Sequence, residues 1–306
     1  MRAFIFPGQG SQSVGMGKAL AESSATAREL FQEVDEALGQ SLARLMAEGP
    51  IEELTLTENA QPAIMANALA TFRTSGIDIL KADFVAGHSL GEYTALAAAG
   101  SFDVATAARL LKLRGQAMQQ AVPVGQGAMA ALLGANLEIA QAVAEAAAQG
   151  EVCTVANDND PSQVVISGHR GAVERALEIA KEKGAKRAVL LPVSAPFHSP
   201  LMEPAARAME QALADAQIAD PLVPLYANVT AAPVEQADEI RRLLVQQVTG
   251  MVRWRESIAA MAEAGVDHFI EFGGKVLAPM VKRIAPDARV TSAVTMDDLD
   301  ALVKEI

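Results

Sequence analysis

The residues Phe84-Val85-Ala86-Gly87-His88-Ser89-Leu90-Gly91 carry the densest chemical signal in the chain. A Gly-x-Ser-x-Gly between an apolar strand and a helix forms a nucleophile elbow, in which the glycines permit a sharp turn and the serine projects from the end of a sheet. The helix that follows aims its first N–H groups at any oxyanion that develops beside Ser89. Chance alone gives the pattern in roughly one chain in ten of this length. The competing reading is a plain strand-to-helix turn, and the strand before and helix after favour the elbow.

A serine hydroxyl is a poor nucleophile without a base. The chain offers His88, His169, His198 and His268. His88 adjoins the serine inside the elbow, so its side chain should point away and pack or cap. His169 follows Gly168 at a strand-to-helix turn and reads as a surface residue, while His268 opens an apolar strand and reads as core. His198 lies in Ser194-Ala195-Pro196-Phe197-His198-Ser199-Pro200, where prolines pre-set the backbone at a boundary between segments and clefts form. Spacing alone sets His198 level with the other three taken together. No acid suits a Ser-acid-His order, because Asp158 and Asp160 fall inside a small inserted segment. The simpler reading is a Ser-His dyad whose imidazole is oriented by a main-chain carbonyl.

Two phosphate-site lookalikes fail. Gly8-Gln9-Gly10 has Ser13 where a dinucleotide fingerprint needs its third glycine, and Gly17-Lys18-Ala19 lacks the Ser or Thr of a P-loop. The Gly8-Gln9-Gly10 turn, at the end of a first strand, could instead bring a second oxyanion donor close to a ligand. Arg114 borders the apolar face formed by Leu110, Leu113 and Ala117, and pattern alone favours a snorkelling surface arginine.

Short apolar runs alternate with alanine-rich amphipathic stretches, the pattern of an α/β protein. Strands are expected at Ala3–Phe6 and Phe84–Ala86. Helices are expected near Thr26–Leu38, Glu58–Ser75 (capped by Thr57, ended by Gly76), Leu90–Ala99, and from Asp103 as N-cap to about Gln120. After a linker at Pro123–Gly127, strands at Ala128–Leu133, Val152–Ala156, Gln163–Ser167 and Arg187–Leu191 alternate with helices at Leu137–Ala148 and Ala172–Lys183. That is βαββαβ, the ferredoxin-like order. The remainder returns to α/β, with strands at Leu225–Ala227 and His268–Phe272, helices near Glu235–Val248 and Arg253–Ala264, and one final helix. The expected organisation is a doubly wound large domain (1–123 and 193–306) with parallel sheet core, carrying an inserted small domain (124–192).

The 306 residues are 51% hydrophobic, too apolar for disorder, and no run approaches the roughly 18 apolar residues of a membrane helix. One cysteine excludes a disulfide framework and a cysteine-cluster metal site. The apolar stretch before Pro7 is too short for a signal peptide, so a soluble, cytoplasmic protein is expected. A net charge of −12 and 4% aromatic residues oppose binding to nucleic acid or to anionic membranes. An acidic partner must then dock on a local basic patch.

The chain resembles the malonyl-CoA:acyl carrier protein transacylases of bacterial type II fatty acid synthesis over essentially its whole length. The matching stretches are Phe6–Gln12, Gln61-Pro62-Ala63, Gly87–Tyr93, Arg114-Gly115, Gln163–Gly168 and Phe197-His198-Ser199. The resemblance implies a hydrolase-like large domain with a ferredoxin-like insert. It implies that Ser89, activated by His198, accepts malonyl from malonyl-CoA and passes it to the phosphopantetheine thiol of acyl carrier protein, in ping-pong fashion. By the same resemblance, the N–H groups of Gln9 and Leu90 form the oxyanion hole and the main-chain carbonyl of Gln247 orients His198. Arg114 pairs with the malonyl carboxylate, which reverses the surface reading of that residue. Phe197 excludes an α-methyl branch, and Asn157 and Asn159 lie near the substrate entrance. No metal or bound cofactor is implied.

Two departures from the family pattern stand out. Met251 replaces a common proline behind Gln247, and Glu271–Pro279 is one residue short and ends in proline instead of glycine. The densest basic cluster, Lys181, Lys183, Lys186 and Arg187, is a candidate carrier-protein dock beside the alternative of a solvated helix end. Competing functions are a stand-alone acyltransferase of a polyketide assembly line, a serine acyl-thioesterase, and a catalytically silent carrier-binding module. The thioesterase reading suffers from Arg114, because a buried cation repays its desolvation only against an anionic acyl group.

Overall fold

The computed structural model describes residues 1–306. The chain opens with β1 (Arg2–Phe6), then runs through α1 (Lys18–Ser23), α2 (Ala25–Leu38), α3 (Leu42–Glu48), α4 (Ile51–Thr55) and α5 (Thr57–Ser75). β2 (Phe84–Gly87) leads into α6 (Gly91–Ala98) and α7 (Val104–Ala121). The middle of the chain is β3 (Gly127–Leu133), α8 (Leu137–Ala148), β4 (Cys153–Asp160), β5 (Gln163–His169), α9 (Arg170–Glu182) and β6 (Arg187–Leu190). Then follow α10 (Glu203–Asp215), β7 (Leu225–Ala227), β8 (Ala232–Val234), α11 (Ala237–Thr249), α12 (Trp254–Glu263), β9 (His268–Phe272), α13 (Ala278–Ile284), β10 (Arg289–Ala293) and α14 (Met296–Val303). No helix is long and apolar enough to cross a membrane.

Two sheets organise these elements. One has the order β10-β9-β1-β2-β7-β8, with every pairing parallel except β7 with β8. Its central strand β1 is buried from Ala3 through Phe6, so it reads as an unbroken apolar run, as a strand covered on both faces should. Phe4, Phe6, Phe72 and Phe272 pack ring to ring at 5.2 to 6.3 Å and lock β1, β9 and α5 together beneath the end of the sheet that carries the elbow. Each buried ring contributes about 1.5–3 kcal/mol. The other sheet is antiparallel with the order β4-β5-β3-β6, backed by α8 and α9 over its own alanine- and valine-rich core.

Most expected elements appear, and the differences have local causes. Thr57 is the first helical residue of α5, with Leu56 at the cap, because the Thr57 hydroxyl accepts a hydrogen bond from Gln61 Nε2 (2.9 Å) instead of capping. Asp103 does cap α7, accepting from Thr106 N, and Gly76 ends α5 with φ +67°. β4 runs on to Asp160, beyond the expected Ala156, because register shifts after Val155 and after Asp158 break its alternation. The expected single C-terminal helix is two, α13 and α14, separated by the edge strand β10, and α10 and β8 were not anticipated. His169 is half-buried instead of a surface residue, since its Nδ1 accepts from Val152 N at 2.9 Å. Pro279 sits in the first turn of α13, where its missing N–H costs nothing.

The far end of β4 ties the two sheets together. Asp158 N donates to Val252 O (3.0 Å), and Val252 N donates to Ala156 O (2.9 Å). The side chains of Asp158 and Asp160 are wholly buried and pair at 2.8 Å with Arg255 of α12 and Arg283 of α13. Replacing Asp158 with alanine leaves Arg255 without its carboxylate in a partly buried position. Asp158→Ala should therefore lower stability by about 1–3 kcal/mol in denaturant titration. A loss under about 0.5 kcal/mol, typical of a solvated pair, would mean the latch is not structural.

Candidate active site

The elbow is set by close backbone approach. A Cβ on Gly87 would lie 1.8 Å from Gly91 O, and one on Gly91 would lie 2.4 Å from Phe6 O, so neither position admits a side chain. Ser89 occupies the left-handed region at φ +54°, a conformation a non-glycine residue keeps only where its surroundings enforce it. Two neighbours do so. Ser89 N donates to Asn228 Oδ1 (2.8 Å), and Ser89 O accepts from Gln247 Nε2 (3.0 Å). Asn228 is fixed in turn, donating through Nδ2 to Gly87 O (2.8 Å) and through its own N–H to Glu92 Oε2 (2.8 Å).

His198 meets this serine with Nε2 2.7 Å from Ser89 Oγ. It too has positive φ, +53°, in the proline-bounded loop. Its Nδ1 faces two main-chain acceptors, Gln247 O at 2.9 Å and Gly250 O at 3.2 Å. A proton on Nδ1 serves both, which leaves Nε2 as the acceptor for the serine hydroxyl. No carboxylate contacts the ring, and the Met251 departure leaves the Gln247 carbonyl in place. Burial, reinforced by the nearby Arg114 charge, pushes His198 down to about 3 from an ordinary 6.5, so the imidazole is neutral and its Nε2 lone pair is open to the serine hydroxyl. Of the other histidines, His88 packs on Trp254 (5.6 Å between rings) and meets Asn159 Oδ1 at 2.8 Å, while His268 is buried against Thr291.

Arg114 overturns the surface reading: it is 1% exposed. The nearly wholly buried helix α5 packs across α7 and covers it, while the adjoining Leu113 faces outward. Its two terminal nitrogens donate to Gln61 Oε1 (2.7 Å) and Gln247 Oε1 (2.7 Å), and the second also lies 3.2 Å from Ser89 Oγ. The guanidinium sits 5.7 Å over the Tyr93 ring. A fixed cation thus stands at hydrogen-bond distance from Ser89 Oγ.

These groups open onto a cleft of about 280 Å³ whose lining includes Gln9, Ser89, Leu90, Arg114, Asn157, Phe197 and His198, with Leu191-Pro192-Val193 after β6 at its side. Neither Gln9 N nor Leu90 N has an acceptor within the protein, so both donors are free for a ligand oxygen. Asn159 is buried behind His88 and does not line the cleft. Sequence reasoning missed the side chains of Gln61, Glu92, Tyr93 and Gln247 and the whole of Asn228. The first three lie inside stretches that matched the family, which was a usable signal. Asn228 sits between β7 and β8 with no motif around it.

The chain matches the acyl transferase domain family over residues 3–281. It is 47% identical over 287 residues to the malonyl CoA-acyl carrier protein transacylase of Bacillus subtilis, covering 92% of this chain and 90% of that one. Among solved structures, an acyl-carrier-protein-S-malonyltransferase from Bartonella henselae superposes with a TM-score of 0.97 at 50% identity, over 99% of this chain and 98% of that one. A type II polyketide acyl carrier protein in complex with its malonyl-transacylase gives a TM-score of 0.96 at 38% identity, over 100% and 99%. With similarity of this extent, the chain belongs to the acyl transferase domain family, among its malonyl CoA-acyl carrier protein transacylases.

Proposed function

We propose that this chain transfers the malonyl group of malonyl-CoA to the phosphopantetheine thiol of acyl carrier protein, in fatty acid synthesis, through a malonyl ester of Ser89. The observation that carries the reading is the meeting of Ser89, His198 and the buried Arg114 at one point of the cleft. His198 Nε2 takes the hydroxyl proton as Ser89 Oγ attacks the thioester carbon. The oxyanion is received by the N–H groups of Gln9 and Leu90, which have no other acceptor. Collapse breaks the C–S bond, and the imidazolium returns its proton to the departing CoA sulfur. The carrier thiol then repeats the same steps in reverse, giving the thioester and free Ser89, a ping-pong sequence.

In this reading the Gln247 carbonyl keeps the His198 tautomer, and Arg114 holds the malonyl carboxylate through its planar fork. Phe197 fills the space of an α-methyl branch and Asn157 lines the approach. The βαββαβ unit, with its β4-β5-β3-β6 order, is a ferredoxin-like insert at 124–192 in a hydrolase-like domain made of 1–123 and 193–306. The exposed Lys181, Lys183, Lys186 and Arg187 dock the acidic carrier, since β6 runs from Arg187 toward the cleft lining at Leu191. Lys181 is the weakest member, being paired with Glu178 at 3.1 Å.

Intact mass after brief mixing with malonyl-CoA tests the core of the proposal. Wild type should gain one malonyl group that carrier protein discharges, and Ser89→Ala should gain none. Steady CoA release without an adduct would point to a hydrolase, and neither signal to a silent carrier-binding module. Arg114→Ala should lose about 10- to 100-fold in malonyl transfer, worth roughly 1.5–3 kcal/mol, while acetyl transfer holds or improves. An equal loss on both acyl groups makes Arg114 structural. Reversing the charges of Lys183, Lys186 and Arg187 should slow transfer to carrier protein about 3- to 30-fold at low salt, with CoA exchange retained. Unchanged transfer removes the patch from the interface.

A further inference from the structure

Glu92 is a carboxylate buried three residues beyond the nucleophile, at 1% exposure. Its Oε2 accepts from Asn228 N (2.8 Å) and from Gln247 Nε2 (3.3 Å), and its Oε1 has no partner. Arg114 is the one charged group acting on it, and Tyr93, the next residue on α6, is neutral. Yet the two charges do not touch: the Gln247 amide stands between them. Gln247 Nε2 faces three oxygens, Ser89 O, Glu92 Oε2 and Asn228 Oδ1, so the amide has a single orientation and its oxygen is turned to Arg114.

A direct pairing would have been stronger, but a carboxylate takes the guanidinium fork by two hydrogens at once. The observed arrangement engages one hydrogen of each terminal nitrogen with an amide oxygen, from Gln61 and from Gln247. The second hydrogen of each stays uncommitted to any carboxylate, and one of them already points at Ser89 Oγ. We infer that Glu92 tunes malonyl recognition from one amide away: through Gln247 its charge offsets that of Arg114 and so sets how strongly the guanidinium edge beside Ser89, left open, draws an incoming carboxylate. This rests on the reading that Arg114 receives that carboxylate.

The arrangement has a cost that can be measured. An ionised Glu92 repels the malonyl carboxylate that Arg114 attracts, while an uncharged acetyl group feels neither. Burial raises the Glu92 carboxyl to about 7, against the pull of Asn228, Gln247 and Arg114. Glu92 is therefore protonated below pH 7 and charged above it, so malonyl binding should tighten as pH falls through 7. The faces of Glu92 offer no second titrating group there: Arg114 keeps its charge, and His198 and Tyr93 stay neutral.

The experiment compares half-saturating concentrations of malonyl-CoA and acetyl-CoA for Ser89 acylation between pH 5.5 and 8.5. The ratio cancels the titration of CoA phosphates common to both. In wild type the malonyl-to-acetyl ratio should fall about 3- to 10-fold from pH 8.5 to 5.5. In Glu92→Gln it should sit at the low value throughout, with no step. A flat wild-type ratio, or a step that survives Glu92→Gln, overturns the inference. Should Glu92→Gln fail to fold, the wild-type profile decides alone. Arg114→Ala separates the two layers. Equal loss of malonyl and acetyl transfer there defeats the reading of Arg114 itself, whereas selective loss with a flat wild-type ratio defeats only the role of Glu92.

Discussion

The structure is organised around a cation almost wholly withdrawn from water, Arg114. Removing a guanidinium from solvent costs several kcal/mol, and the cost is offset only where acceptors surround it in good geometry. Arg114 draws those acceptors from three separate parts of the chain: Gln61 on α5, Gln247 on α11 and the Tyr93 ring on α6. Pairing its terminal nitrogens and ring contact therefore ties three helices to α7, with Nε alone left unpartnered. The same contacts reach the Ser89–His198 pair, because Gln247 carries the carbonyl that meets His198 Nδ1 and the amide that holds both Arg114 and Ser89 O. A shift of α11 cannot disturb the hydrogen bond at His198 Nδ1 without also disturbing that of Arg114.

Strain is concentrated where this network can hold it. Ser89 and His198 are two of only four non-glycine residues with positive φ, and they touch each other. Each such conformation costs of order 1 kcal/mol or more and persists when its surroundings over-determine it. At Ser89 the determinants are Asn228 and Gln247; at His198 they are the two carbonyls of the α11 end and the Ser199 hydroxyl bonded to Pro196 O. Burying His198 neutral adds to this. Its unfolded form binds a proton near 6.5 and its folded form only near 3, so stability falls as pH drops through that window.

Much of this was legible in the residues. The Gly87-x-Ser89-x-Gly91 spacing announced a sharp turn whose two glycine positions admit no side chain, and the Asp103 cap and the βαββαβ alternation were plain. What stayed hidden was whatever depends on distant segments. Arg114 looks amphipathic in its own helix, and only the passage of α5 across it makes it core. Asn228 has no local pattern, yet holds the Ser89 main chain from 139 positions away. β4 lost its period to two register shifts, and β10 is a half-buried edge strand without a strong apolar run. Periodicity reports one element against a generic interior, whereas these residues are defined by a particular neighbour.

The absence of an acid behind His198 follows from the same electrostatics. A triad carboxylate would stabilise the imidazolium, but a malonyl group brings its own anion into the cleft. A second buried carboxylate would add to the repulsion that an ionised Glu92 already exerts on that anion. Neutral carbonyls from Gln247 and Gly250 fix the tautomer without that charge. The Arg114 cation opposes protonation of His198 and so works in the same direction as burial.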